Sequence, residues 1–258
     1  MHSATLMSVA AFLAGVSAHG VILAAQGDAG SPASVGFQVN NALPRNCTTI
    51  SPCQQDTTLI RDAEIAAGTV TECGRTELTG NIDVKTSTED AISSGAVTSV
   101  AAGSQLTITI HQVNADGAGP YSCDLDEASD SGVMSHNLTV ANNIPGTNGL
   151  SLAKEQDFNI TVTMPSTLNC SGGSTGNVCT VRCRNNAAAG PFGGCFAVQQ
   201  TDATAAAATT TSSSAKASKT KGSSATSTGT KKGKNNNARD LLSNSMRWAK
   251  RALLENDS

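Results

Sequence analysis

The chain has 258 residues, 3% of them aromatic and 14% charged, with a formal net charge of -3. That charge is divided: residues 1–200 hold 7 Lys and Arg against 16 Asp and Glu, net -9, whereas residues 201–258 hold 10 against 4, net +6. An acidic body excludes a nucleic-acid-binding domain, and the scarcity of aromatic rings means that a core must rest on Val, Ile, Leu and Ala.

The first element is an apolar run from Val9 to Val16, ended by the small-residue site Val16-Ser17-Ala18. This is the pattern of a secretory signal peptide, residues 1–18, and the run is too short to span a bilayer. Cleavage after Ala18 makes His19 the mature N-terminus. Such a histidine offers two nitrogens to one metal ion, its α-amine and a ring nitrogen. One further imidazole completes a planar set of three, and nitrogen ligands in a tetragonal arrangement suit Cu(II).

The folded domain is expected over residues 19–200. All eight cysteines lie inside it (Cys47, Cys53, Cys73, Cys123, Cys170, Cys179, Cys183 and Cys195). An even number behind an export signal reads as a disulfide framework, whose pairing the spacing leaves open. Zinc is the alternative, on the Cys179-x3-Cys183 spacing, although no second close pair accompanies it. Asn46-Cys-Thr, Asn137-Leu-Thr, Asn159-Ile-Thr and Asn169-Cys-Ser are glycosylation sequons, in keeping with a secretory route.

In chain order, Gly20–Ala25 is an apolar run that opens a strand before the turn cluster at Gly27–Pro32. From Ser31 to about Gly80 there is no sustained helical period. Leu106-Thr-Ile-Thr-Ile-His111 alternates strictly, which predicts a half-buried strand with Leu106, Ile108 and Ile110 on one face and His111 on the other. Further strands are expected at 137–140, 158–164 and 178–182, and a last one from Cys195. Short β-rich runs separated by Gly, Pro and Asn predict an all-β fold, a disulfide-stapled antiparallel immunoglobulin-like β-sandwich with long loops.

Residues 201–238, rich in Ser, Thr, Ala and Lys, read as a disordered linker. Residues 239–258 carry Leu242, Met246, Ala249 and Leu253 at helical spacing among basic residues, a short amphipathic helix suited to an anionic wall polymer or membrane surface. His111 and His136 are the mature-chain candidates to join His19. His111 is preferred because it ends a strand beside the Gly117–Tyr121 turn. The paired acids Glu89-Asp90 and Asp124-x-Asp126-Glu127 read as solvated loop residues rather than a glycosidase pair, and no G-x-S-x-G, H-E-x-x-H or phosphate-binding loop is present.

The stretches His19-Gly-Val-Ile, Cys73-Gly-Arg-Thr, His111-Gln-Val-Asn-Ala-Asp-Gly-Ala-Gly-Pro-Tyr-Ser-Cys123, Cys179-Thr-Val-Arg-Cys-Arg-Asn185 and Gly190-Pro-Phe-Gly-Gly-Cys195 resemble the fungal Egh16-like family, which includes secreted, appressorium-associated virulence proteins. The same landmarks are more distantly similar to lytic polysaccharide monooxygenases. That likeness implies a histidine brace for one copper ion from His19 and His111, with Phe192 at the axial position and Arg182 as a polar neighbour. It implies oxidative cleavage of cell-wall polysaccharide during host penetration by one-electron copper chemistry. His136, Asp116 or Arg182 would tune the metal. Departing from that likeness, the chain has one Trp, Trp248 in the tail, and Tyr121 is left as the candidate sugar contact. The alternatives are a copper-binding protein without oxidase activity and a structural or adhesive protein of the appressorium surface.

Overall fold

The computed structural model describes residues 19–153 and 155–201. The expected leader, linker and C-terminal amphipathic helix lie outside the described residues.

Eleven strands account for most of the regular structure: β1 (Gly20–Gln26), β2 (Thr58–Leu59), β3 (Arg75–Thr76), β4 (Gly80–Asn81), β5 (Thr98–Val100), β6 (Gln105–Gln112), β7 (Ser122–Asp126), β8 (His136–Ala141), β9 (Gln156–Thr163), β10 (Val178–Arg184) and β11 (Phe192–Gln200). Two helices, α1 (Asp62–Ala66) and α2 (Val84–Ser94), and a 3-10 turn at Ala115–Gly117 complete the described elements. The alternation read at 106–111 is the middle of β6, and the expected strands at 137–140, 158–164 and 178–182 are β8, β9 and β10. Among the elements that the sequence pattern does not anticipate are helix α2 and strand β7. Helix α2 is started by Asp83, whose side chain accepts from Thr86 N at 2.7 Å, and stopped by Gly95 in the left-handed region at φ 68°. Strand β7 contains two of the acids read as loop residues, Asp124 and Asp126.

The sheet corrects the expected sandwich. Its strands run β1-β6-β9-β8-β7-β10-β11, and β11 pairs again with β1, so seven strands close on themselves. Every neighbouring pair in this ring is antiparallel except the closing one, where Val21 stands parallel to Gly193. A register shift between Ile22 and Ala24 accompanies the turn of β1 from one neighbour to the other. The result is a barrel without free edges in the ring rather than two facing sheets. Its interior is mostly aliphatic, built from Ile22, Leu106, Ile108, Ile110, Leu125, Ile160, Val162, Val181 and Val198 around Phe196 among others.

The four disulfides are Cys47–Cys53, Cys73–Cys195, Cys123–Cys183 and Cys170–Cys179. Cys179 and Cys183 thus belong to separate bridges, which removes the zinc alternative. Cys123–Cys183 joins directly opposed residues of β7 and β10 inside the barrel. Cys73–Cys195 pins the segment before β3 to the outside of β11, within a second apolar cluster of Phe37, Ile82, Val84, Val97, Val178 and Ala197. On that side the barrel carries an outer layer. Thr180 of β10 shares a hydrogen bond with Ser129, and Ser129 with Thr88 of α2, at 3.0 Å each.

Candidate functional site

The residue before β1 is held through its own backbone groups. His19 O accepts from Val113 N at 2.9 Å, and His19 N donates to Asn114 Oδ1 at 2.9 Å. Two glycines permit this approach. A Cβ on Gly20 would stand 2.1 Å from the Tyr121 hydroxyl, and one on Gly117 would stand 2.3 Å from His19 O. The histidine is therefore clamped between the continuation of β6 and the 3-10 turn. The His-Gly pair in the sequence reflects that packing.

Register then decides which side chains share a face. Val21 opposes His111 and Gly20 opposes Gln112, while His19 bonds to Val113. His19 and Val21 lie two residues apart on one strand, so they project to the same side as His111. His19 and His111 are thus diagonal neighbours across β1 and β6, a relation in which Cβ atoms lie about 7–8 Å apart. Ile110 and Ile22 point the other way, into the core.

The electrostatics of the two rings differ. His111 is buried, and its Nδ1–H donates to Asp157 Oδ1 at 2.6 Å; Asp157 is its directly opposed partner on β9. Asp157 accepts only, so this contact fixes the tautomer and leaves the Nε2 lone pair free. The His19 ring packs on Phe192, with centroids 4.8 Å apart and planes tilted by 51°. Burial lowers the His19 pKa to about 4, against which the neighbouring Gln54 side chain works. Burial thus favours the neutral form of the His19 ring.

Three buried polar atoms here have no hydrogen-bond partner: His19 Nδ1, His111 Nε2 and Gln54 Oε1. Gln54 sits on the loop closed by Cys47–Cys53, and its Nε2 donates to Thr48 O. A depression beside His111 is lined by Leu23, Arg45, Asn46, Glu155, Gln156 and Asp157. Among the described residues no group of three or more His, Cys, Asp and Glu side chains is placed to hold a metal ion.

The remaining sequence candidates are distributed as follows. Phe192 is at the site. Asp116 is next to it through Gly117; its Oδ1 is buried and unpartnered, and burial raises its pKa. Arg182 is not brought there. Its Nε donates to Asp124 Oδ1 at 2.9 Å and its Nη1 to Glu72 O at 3.1 Å, in an ion pair under the outer layer. His136 faces Glu127 at 3.3 Å. Tyr121, read as a sugar contact, is corrected: it is 2% exposed, part of the barrel core, with its hydroxyl donating to Gly117 O at 3.0 Å. The acids Asp124 and Asp126 are structural. The first pairs with Arg182, and the second accepts from Ala128 N, Ser131 N, Ser131 Oγ and Gly132 N. Asn114, Gln54 and Asp157 were not singled out from sequence, since their roles follow from loop packing and from the β6–β9 register.

Fold and site together define a small all-β barrel, stapled by four disulfides, with a histidine pair on its outer face. The family described as Egh16-like virulence factor matches residues 17–193, and the chain belongs to that family. It is 38% identical over 189 residues to the appressoria-specific virulence factor GAS1 of Pyricularia oryzae, an alignment covering 71% of this chain and 72% of the relative. It is 30% identical over 257 residues to GAS2 of the same fungus, covering 76% and 88%. No solved structure matches the chain.

Proposed function

We propose that the chain is a secreted, virulence-associated protein of the appressorium that binds one copper ion through the His19 amine, His19 Nδ1 and His111 Nε2. The observation that carries this reading is the pair of unpartnered ring nitrogens, both buried and both on one face of neighbouring strands. An unsatisfied buried acceptor is costly unless something binds it, and neutral imidazoles are good copper ligands. Family membership and the names of the two relatives support the virulence role.

The chain's own residues have identifiable tasks. Asp157 orients His111 through the contact at its Nδ1, as carboxylates behind metal-binding imidazoles do. The low pKa of His19 keeps its ring ready as a ligand in acid. Phe192 closes one side of the His19 ring and supplies no donor atom. Asn114, at 2.9 Å from His19 N, holds the amine in place once the leader is removed. Copper, when bound, supplies one-electron redox chemistry. No aromatic side chain is exposed among the described residues, whose large exposed apolar groups are Ile50, Leu78, Val133, Leu150 and Leu152. That surface lacks the ring-stacking platform a flat crystalline polysaccharide calls for, and it favours metal binding without oxidase activity over polysaccharide cleavage.

The test is calorimetric titration with Cu(II) of the protein beginning at His19, beside a form with one extra residue before it. Tight one-to-one binding lost in the extended form is expected. Weak binding that ignores the extra residue would leave the structural or adhesive reading in its place.

A further inference from the structure

The outward faces of β6, β9 and β8 have a composition unlike the rest of the barrel. Beyond the His111–Asp157 end they present Thr107, Thr109, Asn159, Thr161, Asn137 and Thr139, all uncharged and none fully buried. Register makes this a continuous patch: Thr109 opposes Asn159, Thr107 opposes Thr161, and β8 follows through Thr139 opposite Thr163. Two of the four sequons lie within it. An Asn-x-Thr triplet in a strand puts acceptor and threonine on the same face because side chains alternate. Here that face is the exposed one. The middle residues, Leu138 and Ile160, point inward at 8% and 0% exposure.

We infer that Asn137 and Asn159 are N-glycosylated, so that the β6–β9–β8 face of the barrel is clad in oligosaccharide. The inference rests on the reading that the chain enters a secretory pathway. The acceptor chemistry fits the structure. Asn159 Oδ1 accepts from Thr109 Oγ1 at 2.8 Å, and Nδ2, the atom that is modified, takes part in no hydrogen bond. Transfer forms a bond from Nδ2 to C1 of the first sugar and breaks the C1–oxygen bond to a polyprenyl pyrophosphate carrier. One amide proton is released with that leaving group, no electrons are exchanged, and Oδ1 keeps its partner.

The other two sequons are poorer acceptors for a stated reason. Their middle residues, Cys47 and Cys170, are bridged to Cys53 and Cys179, only 6 and 9 residues away. Closure of such short loops competes with presenting the triplet to a transferase in extended form. Leu138 and Ile160 impose no such competition. Glycans on Asn137 and Asn159 also explain why three neighbouring strands leave a whole face uncovered by protein while the opposite side of the barrel is layered over.

The experiment is expression of the full chain in a fungal secretory host, recovery from the medium, and peptide mapping before and after enzymatic release of N-glycans in 18O water. Conversion of Asn137 and Asn159 to 18O-labelled Asp is expected. N137Q and N159Q should each remove one glycan's mass, and T139A and T161A should do the same with the acceptor amide intact. Secreted protein with both asparagines bare, or modified only at Asn46 or Asn169, overturns the inference and leaves the secretory reading standing. A chain held in the cytosol with its leader uncut overturns both.

Discussion

The two sides of the barrel handle their outward-facing residues in opposite ways. Strands β10 and β11 are buried on both faces, with an outer layer of α2, the loop around Phe37 and the Cys73–Cys195 bridge packed over them. Over 106–110, 137–140 and 159–163, strands β6, β8 and β9 alternate, apolar within and Thr or Asn without. The sequences differ accordingly. Val178-Cys-Thr-Val-Arg-Cys reads as a nearly continuous buried run, whereas Leu106-Thr-Ile-Thr-Ile shows a period of two. The histidine pair sits just before β1 and on β6, where the layered side gives way to the bare one. It is thus half-roofed by the Cys47–Cys53 loop and open toward Asp157.

This contrast predicts a large asymmetry in tolerance to charge. Ala197→Asp places a carboxylate against Phe37 and Val97 with no partner and should cost about 3–5 kcal/mol, in line with other unpaired buried charges. Thr107→Glu, outward on β6, should cost under about 1 kcal/mol. Urea unfolding of the two variants checks the pair; similar losses would mean that the two sides are not built differently. Removing the bridge that ties the outer layer down, by Cys73→Ala with Cys195→Ala, should cost about 2–4 kcal/mol. Asp83→Ala, which uncaps α2, should cost about 1 kcal/mol and show first as faster amide exchange in 84–94.

The smallest expected effect depends on pH. Burial, reinforced by the nearby charge of Asp126, raises the pKa of Glu72 beneath the outer layer. A carboxyl with a raised folded-state pKa stabilises the fold fully below its unfolded value and loses that contribution as pH rises through the folded value. Glu72→Gln should therefore match the parent near pH 4 and melt above it at pH 7. Equal melting at both values would show that Glu72 is solvated.

Much of the bare side was legible in the sequence, because alternation is a local signal and β6, β8 and β9 carry it. The layered side was less so. Strand β7 reads as a loop in the sequence because Asp124 and Asp126 look solvated, and it is Arg182 and the 128–132 backbone that satisfy them. Helix α2 is not evident from its pattern although Asp83, Thr86 and Gly95 mark its ends, since its sequence gives only a weak apolar stripe. Closure of the barrel was not legible at all, as it depends on one parallel contact between Val21 and Gly193, remote in sequence. For the site, His19, His111 and Phe192 came from the sequence and its resemblances. Asp157, Asn114 and Gln54 required register and loop packing that no local pattern encodes.

The most direct test of the copper proposal is electron paramagnetic resonance of the copper-loaded protein, started at His19 and labelled with 15N in its histidines, beside His111→Ala. Hyperfine couplings to imidazole nitrogens from two histidines, with one lost in the variant, are the result expected. A copper spectrum unchanged by His111→Ala would contradict a shared site and detach His111 from the metal.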